Sequence, residues 1–99
     1  ELPKVNKNFT SVWAQYSILA PNIEIRDNIV NYLKEKNINV SIFYPSPLHL
    51  QECFAYLAGK KGDFPIAEKV SEEIMSLPMN PYLTEEEIEY ITTNLIKIL

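Results

Sequence analysis

Thr10-Ser11-Val12-Trp13-Ala14-Gln15-Tyr16-Ser17-Ile18-Leu19-Ala20, then Pro21-Asn22, then Ile23 to Lys36, is the stretch that sets the fold class. Its first part alternates: Val12, Ala14, Tyr16 and Ile18 share one side, and Trp13, Gln15, Ser17 and Leu19 the other. Period two with β-branched and aromatic residues predicts a strand, and large residues on both sides predict an inner one. After Pro21 the period changes. Ile25, Ile29 and Leu33 recur at i, i+4 and i+8, with Val30 and Tyr32 beside them. Asn22 is suited to cap the start, and Lys34 and Lys36 suit the negative end of the helix dipole. A helix of about 14 residues follows, stopped by Asn37.

Working outward, Ile38, Val40, Ile42 and Tyr44 alternate with polar residues and predict a second strand. Pro45 and Pro47 break it, since each removes a donor and restricts its predecessor. A short helix is expected from about Gln51 to Ala58, then a turn at Gly59-Lys60-Lys61-Gly62. Pro65 sits where a helix tolerates it, in the first turn. Ile66, Val70 and Ile74 then form a stripe opposite Glu68, Lys69, Glu72 and Glu73, which read as a solvated face. Met75-Ser76-Leu77 is a candidate third strand. Thr84 and Glu87 fit a capping box, with Glu85 and Glu86 at the positive end of the dipole. Ile88, Ile91, Leu95 and Ile98 continue one face to the terminus. Residues 1–9 are polar and mixed, a loosely held lead-in. The order implies an α/β fold, an α+β two-layer sandwich with a small three-stranded mixed or antiparallel sheet covered by helices.

Composition narrows function mostly by exclusion. Ninety-nine residues allow one small domain. A formal charge of −4 leaves no electrostatic footprint for nucleic acid or an anionic membrane. No apolar run approaches the length of a spanning helix, and no basic segment followed by an apolar one suggests a secretory leader. One cysteine, Cys53, excludes an internal disulfide; it reads as a small buried hydrophobe, in a reducing, cytoplasmic setting. No phosphate-binding glycine pattern and no metal-ligand spacing is present. The chain opens at Glu1 without methionine, the expectation being a piece of something longer.

His49 is the only histidine. A lone imidazole between Leu48 and Leu50 reads first as a packed side chain. Its setting argues the other way, because a double-proline loop leaving a strand end is where binding groups are placed. Tyr44, with Tyr56, Tyr82 and Tyr90, reads as packing or loop anchoring. The residues alone support a soluble α/β domain with one unusual proline–histidine loop.

A resemblance carries the reading further. Arg26-Asp27, Tyr32-Leu33-Lys34, the run Tyr44 to Gln51 reading YPSPLHLQ, Gly62-Asp63-Phe64-Pro65, Ala67-Glu68, Ser71-Glu72, Ser76-Leu77-Pro78-Met79, Leu83-Thr84 and Glu87-Ile88 occur in order. Together they resemble the C-terminal part of the DegT/DnrJ/StrS family of pyridoxal-phosphate (PLP) dependent nucleotide-sugar aminotransferases, over roughly residues 10–98. The resemblance implies the C-terminal small domain of a fold-type I aminotransferase over residues 10–99, closing at a homodimer interface over a large N-terminal domain. That absent domain would hold PLP through a Schiff-base lysine and also carry the aspartate that meets the pyridine nitrogen. The parent would move an amino group from glutamate to a ketone on a dTDP- or UDP-linked sugar.

None of the eight lysines lies in the family's lysine motif, so this chain alone is expected to be inactive, with no catalytic, cofactor-binding or metal residue of its own. Tyr44, Pro45, Pro47, Leu48 and His49 correspond to the family loop that reaches the active-site mouth, which implies a substrate-binding set of Tyr44, Leu48, His49 and Gln51, His49 foremost and Gln51 after it. Arg26 and Asp27 match family positions at a helix start, where a structural role is as natural. Asn37 stands where the family commonly has glycine, and can adopt the same left-handed cap. The alternative is a stand-alone binding or dimerisation module, or a domain in which His49 is merely packed.

Overall fold

A computed structural model describes residues 1–99. Strand β1 (Tyr16–Leu19) leads into helix α1 (Ile23–Glu35); a loop with two 3-10 segments (Leu48–Leu50 and Glu52–Leu57) leads to α2 (Pro65–Glu73), which passes directly into β2 (Ile74–Leu77), and α3 (Glu85–Ile98) closes the chain. The two strands are antiparallel, with Ser17 opposite Ser76 and Ile18 opposite Met75. The Ser17 and Ser76 hydroxyls bond across the pair at 2.7 Å.

The expected three-stranded sheet is two-stranded. Of the expected second strand, only Ser41 meets β2, exchanging both backbone bonds with Ser76 at 3.1 and 2.7 Å. β2 thus lies between β1 and Ser41, and the outer side of β1 is met at one residue only, Leu19, whose backbone exchanges both bonds with Glu1 of the expected loosely held lead-in. The expected Thr10–Ala20 strand shrinks to four residues, and Trp13 takes a left-handed φ of 50°. Register explains the loss of the second strand. Ser76 spends both its backbone bonds on Ser41, so the next residue of β2 to face that side is Pro78, opposite Asn39, and it has no N–H to give. At the opposite end Glu73, whose carbonyl accepts from Ala20, is the last residue of α2.

Local signals hold at the helix ends. The Asn22 side chain accepts from the Ile25 N–H at 2.9 Å, and Asn37 takes φ 58° past the end of α1. Thr84 and Glu87 make both halves of the capping box. The core gathers Ile18, Ala20, Ile29, Leu33, Ile38, Met75, Ile91 and Leu95 between the sheet, α1 and α3. Two predicted stripes are corrected: Ile66 on α2 is 80% exposed and Ile88 on α3 is 47% exposed. Arg26 is buried instead, its Nε donating to Asp27 at 2.6 Å and its guanidinium lying 3.4–3.5 Å from the carbonyls of Ile74 and Ser71. Its place is structural, tying α1 to the α2–β2 junction.

Candidate functional site

The two prolines shape the site. Past Ser41 the chain has no ladder to follow, and Pro45 and Pro47 hold it extended until the 3-10 turn at Leu48. This loop crosses in front of α2, and together they enclose a cleft of about 440 Å³. Tyr44, Leu48, His49 and Gln51, the four residues singled out from sequence, all line it, with Phe64, Ala67 and Val70 opposite. Tyr44 and Leu48 are two-thirds exposed, so their apolar faces stand open at the rim. Gln51 turns inward to the loop, its amide donating to the Ser46 carbonyl at 3.1 Å.

His49 is held on three sides. Its Nε2 lies 2.9 Å from Glu68 Oε1, and both side chains are about one-tenth exposed. The Phe64 ring meets the imidazole edge to face, centroids 4.9 Å apart. Behind it, Gly59 backs onto the His49 main chain so closely that a Cβ there would lie 2.6 Å from the His49 carbonyl oxygen.

Glu68 corrects the sequence reading. It belongs to the expected solvated face of α2, yet it folds back over its own helix start. Oε1 accepts from the Gly62 N–H at 2.8 Å, from the Phe64 N–H at 3.3 Å and from His49; Oε2 accepts from Gly62 at 2.9 Å. Burial acts to raise this carboxyl, but the donors from Gly62, His49 and Phe64 outweigh it and hold the group below its ordinary 4.5. The pattern Gly62-x-Phe64-Pro65-x-x-Glu68 is the signal that could have found it. A carboxylate one turn inside a helix can reach the free N–H groups ahead of an N1 proline. Cys53 is the other correction: it is exposed on the outside of its 3-10 segment and stands apart from the cleft. No three His, Cys, Asp or Glu side chains gather to hold a metal ion, and no helix is long and apolar enough to cross a membrane.

Residues 1–96 match the DegT/DnrJ/EryC1/StrS aminotransferase family. This chain belongs to that family. Among its relatives is a protein of Geobacillus stearothermophilus named pleiotropic regulatory protein, 48% identical over 80 residues, which cover 81% of this chain and 21% of that protein. The dTDP-3-amino-3,6-dideoxy-alpha-D-galactopyranose transaminase of Aneurinibacillus thermoaerophilus is 34% identical over 90 residues, 91% of this chain and 23% of that protein. A crystal structure of a DegT/DnrJ/EryC1/StrS aminotransferase from Brucella abortus superposes with a TM-score of 0.86 at 34% identity, covering 98% of this chain and 25% of that one. The chain thus spans about a quarter or less of the length of these aminotransferase-family proteins, and its α/β fold is theirs over that part.

Proposed function

We propose that residues 10–99 form the small C-terminal domain of a PLP-dependent sugar aminotransferase, with residues 1–9 leading into it. In the parent, the cleft lined by Tyr44, Leu48, His49 and Gln51 faces the nucleotide-sugar. The observation that carries this is the cleft itself: in a chain of an aminotransferase family, a proline-stiffened loop fixes one imidazole at an open apolar rim. Two prolines reduce the freedom lost when the loop is held for binding. Tyr44 and Leu48 offer apolar walls to a sugar face, while His49 offers a ring nitrogen to a hydroxyl.

The shape supports a domain that completes its packing elsewhere. The radius of gyration is 15.5 Å, against about 13 Å for a compact domain of 100 residues. All eight lysines are exposed and none lines the cleft, so the residues of this chain do not fit a site that holds PLP on an enclosed amine. The cofactor, and the glutamate that supplies the amino group, belong to the large N-terminal domain and the assembled enzyme, a cytoplasmic homodimer on this reading. The chain alone is inactive.

The test is an assay of the full-length polypeptide and of this chain, each supplied with PLP. With dTDP- and UDP-linked 3-amino sugars as donors and 2-oxoglutarate as acceptor, the full-length protein forms glutamate and this chain does not. The 3-amino series is chosen from the name of the A. thermoaerophilus relative. Turnover by the chain alone overturns the proposal. The regulatory name of the 48% identical relative favours a second reading, a binding or dimerisation module. Absence of turnover by the full-length protein across the series decides for it.

A further inference from the structure

We infer that Glu68 is a positioning residue that acts through His49, holding the ring proton on Nε2 and leaving Nδ1 as the one ring atom that meets the occupant of the cleft. The inference rests on the proposed role of that cleft. Glu68 Oε1 already accepts from two backbone N–H groups, which can only donate, so it has no proton to offer the ring. The bond to His49 at 2.9 Å therefore needs its proton on Nε2. No protein group bonds Nδ1, no side-chain nitrogen or oxygen is buried without a partner, and His49 lines the cleft, so Nδ1 is the ring nitrogen left accessible to an occupant.

Phe64 against the ring and Gly59 behind the main chain keep the imidazole from turning about. A neutral ring held this way presents an acceptor, the complement of a hydroxyl and a poor partner for phosphate or carboxylate. Three separate segments meet at one carboxylate: the loop at His49, the turn at Gly62 and the start of α2. The position of the ring is thus set from α2, by a residue that need not touch substrate itself.

The experiment uses the full-length holoenzyme with 15N-labelled histidine, the His49 ring signal being assigned by its loss in H49Q. The expected result is an Nε2–H protected from exchange in the unaltered protein and lost in E68A. In steady-state assays with the dTDP- and UDP-linked 3-amino sugars, E68A raises KM about tenfold, as H49A does, and adds nothing further in the H49A background. E68Q, which keeps the acceptor and loses the charge, retains the ring proton and raises KM about threefold.

An unprotected ring proton in the unaltered enzyme, or an E68A effect that multiplies with H49A, overturns the inference. A folded E68Q without the protected proton does the same, and it serves as the test should E68A fail to fold. An unchanged KM in H49A, with the ring proton still dependent on Glu68, refutes the substrate role of the cleft and supports the Glu68 assignment, so the two failures are distinct.

Discussion

Gly59→Ala probes how the loop is held without touching any polar group of the site. The added Cβ would stand 2.6 Å from the His49 carbonyl oxygen and 3.1 Å from its Cβ, where contacts under 3.0 Å are essentially unknown. Both neighbours are anchored rather than the far end of a flexible side chain, so the two segments must part by about 0.4 Å or more. Moving His49 by that much stretches its 2.9 Å bond to Glu68 towards 3.3 Å, past the usual range. Overpacking of this kind costs about 1–3 kcal/mol, while alanine recovers about 0.4–1 kcal/mol by stiffening the unfolded chain. The net expectation is a loss of about 1–2 kcal/mol, or a melting temperature lower by about 5–15 °C for a domain this size. Urea unfolding followed by circular dichroism reads the first quantity, and exchange of the His49 ring proton reads the displacement. An alanine variant of unchanged stability with the ring proton still protected would refute the reasoning.

Leu33 is fully buried between the sheet and α3, and Leu33→Ala should cost about 2–5 kcal/mol in urea unfolding; a loss under 1 kcal/mol would mean this core does not carry the fold. Thr84→Ala removes the cap of α3 and should cost about 1 kcal/mol, with Thr84→Ser restoring it; equal stability of all three would contradict the capping box. Because the Glu68 carboxyl lies below 4.5 when folded, its contribution is complete above about pH 4.5 and is lost as pH falls through the lower folded value. Acid titration of the loop should show this component in the unaltered protein and not in Glu68→Gln, and a loosening that begins above pH 4.5 would count against it.

What could be read in the sequence was local. Asn22, Asn37 and the Thr84–Glu87 pair act within one turn of themselves, so the residues announce the structure they make. The loss of the second strand was not legible, because it is set by Pro78, some forty residues on from Asn39. Ile66 and Ile88 follow helical periodicity yet stay exposed, since periodicity marks an apolar face without saying what covers it. The four loop residues singled out by the resemblance share one cleft, where the two prolines lead the chain across α2. Glu68 was missed because its neighbours along α2 are charged, and its partner His49 lies nineteen residues upstream. Its meaning is tertiary.

On the proposed function, this domain brings His49 to the nucleotide-sugar of an aminotransferase. Steady-state kinetics of His49→Ala in the full-length enzyme, varying the 3-amino nucleotide sugar at saturating 2-oxoglutarate, test it most directly. The expected result is a KM for the sugar about tenfold higher, with the KM for 2-oxoglutarate unmoved. An unchanged KM for the sugar, in a variant that folds and assembles as before, would contradict it.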